Sequence, residues 1–171
     1  HPFMNALHTP QQTELLAVLA RFGVASSAQL QAALGKSQPT LSRTLRELAG
    51  QVVVLGQQRS ARYALLHEIL GLPGQQPLWW TNAEGAHHEW GMINYLGAER
   101  LQVQAPGLDV LTQGRLPWFL QPLRLQGFLG RLWARSPQAQ GYDSNPERWR
   151  IDQLLALLLR EVHDLPGAIS L

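Results

Sequence analysis

Nine polar residues between Lys36 and Arg62 carry the densest chemical signal in this sequence: Lys36, Ser37, Gln38, Thr40, Ser42, Arg43, Arg46, Arg59 and Arg62. A glutamine amide can bond two atoms on an adenine edge, and a guanidinium can do the same on guanine. Serine and threonine hydroxyls, with the backbone amides of a helix N-terminus, suit phosphate oxygens. Arginines on a hairpin suit a phosphate backbone or a narrow minor groove. The chemistry implied is recognition of double-stranded DNA. The same residue types leave a second reading open, a solvated surface on a module that contacts protein.

The elements that would position these residues are legible. Thr9-Pro10-Gln11-Gln12 opens a helix with a capping residue, a first-turn proline and a capping-box glutamine. Leu15, Leu16, Leu19 and Phe22 share one face of it, and Gly23 ends it. Ser26 with Gln29 repeats the capping box, Leu30, Ala33 and Leu34 give a second helix its buried stripe, and Gly35 supplies the turn. Ser37 reads as the N-cap of a third helix with Pro39 in its first turn. There Leu41, Leu45 and Leu48 point inward, Gln38, Pro39, Thr40, Ser42, Arg43 and Arg46 point outward, and Gly50 ends the helix. Val52-Val53-Val54-Leu55 and Ala61-Arg62-Tyr63-Ala64-Leu65 then read as strands around Gly56 to Ser60. This order predicts a winged helix-turn-helix, with the third helix in the major groove and the hairpin as its wing.

Charge agrees with that placement. The net charge of +2 divides into six Lys/Arg against two acids from Met4 to Leu66, and eight Arg against ten acids from His67 onward. A basic module joined to a mildly acidic one puts any nucleic-acid contact in the first. With 45% hydrophobic and 15% charged residues, the composition is that of a folded protein. The absence of cysteine excludes disulfides and thiolate metal sites and suits a cytoplasmic protein. No apolar run approaches the roughly 18 residues of a membrane helix, so no membrane partner is expected. His1-Pro2-Phe3 ahead of Met4 reads as a cloning remnant, with Met4 the natural start.

The expected domain boundaries are residues 4–69 for the first module, a Gly/Pro-rich linker over 70–77, and a second module over 78–171. Leu78 to Thr81, Gly91 to Leu96 and Arg100 to Gln104 read as short strands separated by turns at Asn82 to Gly85 and Pro106-Gly107. Ser144-Asn145-Pro146-Glu147 offers caps for a helix on which Ile151, Leu154, Leu155, Leu158 and Val162 recur at helical spacing. The fold class is therefore α+β, a small antiparallel sheet plus helix following the three-helix module. His87-His88-Glu89 lacks a third ligand at recognisable spacing, and neighbours on a strand point to opposite faces, so no metal site is expected. Six tryptophans (Trp79, Trp80, Trp90, Trp118, Trp133, Trp149) read as core or partner interface rather than base-stacking platforms. No phosphate loop and no nucleophile with an evident base is present, so no catalytic residue is assigned.

One stretch, Leu116-Pro117-Trp118-Phe119-Leu120-Gln121-Pro122-Leu123-Arg124-Leu125-Gln126-Gly127-Phe128-Leu129-Gly130-Arg131, is distinctive. With Asp164-Leu165-Pro166-Gly167-Ala168-Ile169, it resembles the N-terminal subdomain of HipA-family serine/threonine kinases, in the YjjJ-type branch that begins with a winged helix-turn-helix. The resemblance runs from about Thr9 onward. It implies a toxin kinase of a toxin–antitoxin system, whose β-rich subdomain packs on the kinase N-lobe. Trp118, Phe119, Arg124 and Phe128 are the docking residues it suggests. The ATP-binding loop, catalytic Asp and Mg-binding Asp of that family lie beyond Asp164 to Ile169, so ATP and Mg are implied only for the missing kinase domain. The end at Ala168-Ile169-Ser170-Leu171 reads as the start of a strand and favours a truncation; the alternative is a complete short protein that binds a separate kinase.

The resulting expectation is a non-catalytic region that binds DNA, as a homodimer on an inverted repeat, and docks its own or a separate HipA-like kinase domain. Two rivals stay open: an inhibitory or scaffolding subunit whose helices contact protein, and a ligand-responsive transcription regulator with the Trp-rich domain as sensor.

Overall fold

Capping chemistry decides where the first helices begin. The computed structural model of the chain describes the backbone of residues 7–124, 126–161 and 169–171, without the side chains of Phe128, Leu129, Glu161, Ile169 and Ser170. The chain divides into two compact units, His1–Leu66 and His67–Leu171. Each combines helices with antiparallel strands, so the class is α+β.

In the first unit, helix α1 (Pro10–Phe22) opens on a complete capping box: Thr9 Oγ1 accepts from Gln12 N at 3.2 Å, and Gln12 Oε1 accepts from Thr9 N at 3.1 Å. Strand β1 (Val24–Ser26) follows, and Ser26 with Gln29 repeats the box at the head of helix α2 (Ser27–Leu34). Gly35, at φ 62°, takes the left-handed turn that glycine adopts without steric cost, and helix α3 (Gln38–Glu47) begins three residues later. Strands β2 (Val52–Leu55) and β3 (Arg62–Leu65) are joined by a 3-10 turn over Gln58–Ser60. The sheet order is β1-β3-β2, all antiparallel. At three residues, β1 is too short to show alternation in sequence, which is why the pattern yields only the β2–β3 hairpin.

Leu15, Leu19, Ala25, Leu30, Leu41 and Leu48 form the core of this unit. Burying each leucine contributes roughly 1.5–3 kcal/mol. Four local expectations are corrected. Phe22 is 38% exposed in the last turn of α1, outside the core cluster, with the Arg21 guanidinium 5.3 Å above its ring. Ala33 is exposed on α2 and not part of its buried stripe, whereas Leu45 packs against the core as expected and Thr44 is buried with its hydroxyl donating to Thr40 O at 3.1 Å. Ser37 occupies the N-cap position of α3, but its Oγ lies 3.1 Å from Thr40 Oγ1 and caps no backbone amide. Helix α3 ends at Glu47, so Gly50 (φ 102°) shapes the turn into β2 rather than the helix end.

The second unit is built on a five-stranded antiparallel sheet in the order β7-β6-β5-β4-β8. Its strands are β4 (Gln75–Thr81), β5 (His87–Tyr95), β6 (Arg100–Ala105), β7 (Leu108–Gln113) and β8 (Ile169–Ser170). The unit boundary falls at Leu66/His67, Ile69 is already core, and Gln75-Gln76-Pro77 belong to β4, which differs from a linker over 70–77. Within β4, Pro77 lies opposite Met92 of β5. Asn82 Oδ1 accepts from Glu84 N and Ala86 N and so shapes the β4–β5 turn. Strand β7 adds to the three strands read from sequence; Pro106-Gly107 turn it back onto β6.

A 3-10 segment (Trp118–Leu123), helix α4 (Gly127–Ala134) and helix α5 (Ile151–Glu161) complete the unit. Ile151, Leu154, Leu155, Leu157 and Leu158 share one core with Ile93, Tyr95, Leu101 and Val103. Asn145 caps a separate 3-10 turn (Pro146–Arg148) and not α5, because Trp149 and Arg150 intervene in non-helical backbone. Val162 and Asp164 to Ala168 lie outside the described residues.

Candidate nucleic-acid interface

Helix α3 presents Gln38, Ser42 and Arg46 at intervals of four, one stripe along its exposed side. The stripe is tied together: Gln38 Nε2 donates to Ser42 Oγ at 3.2 Å, and Arg46 Nε donates to Ser42 O at 3.3 Å. Arg43 is exposed beside it. Lys36, Ser37 and Gln38 are exposed at the N-terminal end, with Thr40 and Ser42 half-buried. In the hairpin, Arg59 is exposed within the 3-10 turn, and Arg62 is exposed at the start of β3, where its backbone registers with Ser26 and Leu55. Among the described residues none of Lys36, Arg43, Arg46, Arg59 and Arg62 is in an ion pair. Cations left without acidic partners suit a polyanion.

Two further residues join the site from α2. Ser27 Oγ donates to Gln38 Oε1 at 2.5 Å, and Gln31 Nε2 donates to the same oxygen at 2.6 Å and to Ser27 Oγ at 3.1 Å. Sequence reasoning passed over both. Their signal was a polar pair four residues apart on the helix before the turn, which falls on one face but names no partner. Between α3 and the hairpin lies a cleft of about 300 Å³ lined by Leu45, Ala49, Val52, Val54 and Tyr63, with Ser42 and Arg46 supplying polar atoms.

The second unit carries the other residues singled out from sequence. Trp118 is 83% exposed and meets Phe119 edge-on with ring centroids 5.6 Å apart. Phe119 in turn meets Trp90 edge-on at 5.8 Å. Arg124 Nη1 donates to Glu147 O at 3.0 Å, which ties the loop after the 3-10 segment to the turn before α5. The Phe128 side chain lies outside the described residues. His87 Nδ1 contacts Thr81 Oγ1 at 3.0 Å, whereas the His88 ring sits 6.1 Å from that of Trp80, so the two histidines have separate neighbours. Trp149 is buried with Nε1 donating to Asp143 O at 2.6 Å. Among the described residues, no helix is long and apolar enough to cross a membrane.

Residues 72–171, more than half of the chain, match the family model described as YjjJ-like toxin, middle domain. The chain belongs to the YjjJ-like toxin family. The chain is also 36% identical over 120 residues to Toxin YjjJ of Escherichia coli (strain K12). The aligned stretch is 69% of this chain and 26% of that relative, so the chain spans about a quarter of the relative's length. No solved structure matches it. The family match covers nearly all of the second unit, including Trp118, Phe119 and Arg124, and leaves the α3 surface outside it.

Proposed function

We propose that the first unit is a winged helix-turn-helix that binds double-stranded DNA through α3 and the β2–β3 hairpin. The second unit is then a HipA-like N-terminal subdomain that docks the lobe of a toxin kinase and carries no catalytic group itself. The observation that carries the DNA reading is the set of cations, Lys36, Arg43, Arg46, Arg59 and Arg62, without ion-pair partners among the described residues, on one helix and the hairpin that follows it. Family membership supports the toxin setting, and the exposed Trp118, backed by Phe119 and Trp90, supports a partner surface on the second unit. ATP and Mg belong to the kinase lobe in this reading. The DNA-bound form is a homodimer on an inverted repeat, and the compartment is the cytoplasm.

The test is fluorescence anisotropy of the chain against its own promoter DNA and a scrambled duplex, with salt titrated from about 50 to 200 mM. Tighter promoter binding with a steep salt slope is the expected result. Absence of binding at low salt would overturn the DNA reading. The apolar cleft beside Arg46 favours one second reading, in which α3 and the hairpin contact protein. In that case binding to the kinase lobe is lost when Arg43 and Arg46 are reversed to Glu.

A further inference from the structure

We infer that Gln38 reads its base by donation alone, favouring the acceptor edges of guanine or thymine over adenine; this rests on the DNA-binding reading above. Recognition of adenine by glutamine needs both ends of the amide, with Oε1 accepting from the N6 amino group and Nε2 donating to N7. Here Oε1 is already occupied. It accepts from the Ser27 hydroxyl at 2.5 Å and from the Gln31 amide at 2.6 Å, which uses both of its lone pairs. Nε2 gives one hydrogen to Ser42 Oγ at 3.2 Å, and its other hydrogen has no acceptor among the described residues.

An exposed Gln38 therefore offers a single N–H. Guanine presents two acceptors, O6 and N7, to such a donor and thymine presents O4, whereas adenine presents only N7, with its own N6 donor beside it. Freeing Oε1 for adenine would break two hydrogen bonds to gain one. Ser27 and Gln31 are thus positioning residues: from α2 they set the hydrogen-bond polarity that α3 shows to the groove.

The experiment is selection from a randomised duplex library with the wild-type chain, Gln38→Ala, and the double variant Ser27→Ala/Gln31→Ala, followed by anisotropy on the selected duplexes. Wild type should enrich guanine or thymine at one position, with about fivefold preference over adenine. Gln38→Ala should flatten that position alone. The double variant, with Oε1 released, should move the same position towards adenine while the remaining positions hold. Adenine or cytosine at the Gln38-dependent position in wild type would overturn the inference while leaving DNA binding intact. So would a Gln38→Ala loss that is equal on all sequences, or a double variant with unchanged preference. Enrichment of no sequence by wild type would bring down the DNA reading and this inference with it. The wild-type and Gln38→Ala arms decide the matter even where the double variant folds poorly by circular dichroism.

Discussion

Glu99 caps a helix that begins 52 residues later: its Oε1 accepts from the backbone amide of Ile151 at 3.2 Å. Glu99 sits at φ 58° in the turn between β5 and β6, so the sheet's own corner supplies an acceptor for the first turn of α5. Two further amides nearby are met locally, Arg150 N by Gln153 Oε1 and Gln153 N by Asp152 Oδ1. A carboxylate there also complements the positive end of the helix. Glu99→Ala should lower the stability of the second unit by about 0.5–2 kcal/mol, with a smaller loss for Glu99→Gln. Denaturant unfolding followed by tryptophan fluorescence reads this directly, and an unchanged midpoint would show that the contact does nothing for stability.

Tyr95, buried beside that same helix start, gives the second unit an alkaline limit. Burial, and then the charge of Asp152, raise its phenol above the ordinary value of 10.0. The fold thus accepts the neutral ring. Because the folded value lies above the unfolded one, the stabilisation is complete below pH 10.0 and is lost as pH rises through the folded value. Stability measured between neutral and strongly alkaline pH should fall above that point, and Tyr95→Phe should fall less steeply. Parallel curves for the two proteins would refute the assignment.

Gly91 lies where the sheet has no room for a side chain. A Cβ there would collide with Gln104 O and stand 2.9 Å from Ala105 Cβ, both on or at the end of the neighbouring strand β6. Backbone cannot yield as a flexible side chain would, so Gly91→Ala should cost about 1–3 kcal/mol. Thermal unfolding is the measurement, and a loss within a few tenths of a kcal/mol would mean that β5 and β6 can part locally.

Arg43 and Arg59 should fail differently on DNA. If Arg43 bonds a base, Arg43→Ala should cost about 1–3 kcal/mol and relax specificity at one position. Arg59, on the hairpin turn, should lower affinity evenly across sequences and flatten the salt dependence. Binding isotherms on point-substituted duplexes at several salt concentrations separate the two, and an equal loss on every sequence for Arg43→Ala would make it a phosphate contact.

What could be read in advance follows a physical line. Interactions within about four residues are written in the sequence, and the capping boxes Thr9–Gln12 and Ser26–Gln29, the ends of α1 and α2, and the apolar spacing on α5 from Ile151 to Leu158 stand as read. The basic, outward-facing character of Arg43, Arg46, Arg59 and Arg62 was equally legible, because charge and helical phase are local properties.

The tertiary structure alone decided the rest. Strands β1 and β7 exist because partners in β3 and β6 satisfy their backbone groups, not because of their own pattern. The N-terminus of α5 is met from Glu99 across the chain rather than from Ser144-Asn145 beside it. Gln38 shows the same division most clearly: its type and exposure belong to the sequence. The direction of its amide depends on Ser27 and Gln31 meeting it across the turn, and hydrogen-bond polarity is set by the neighbour a fold brings within reach.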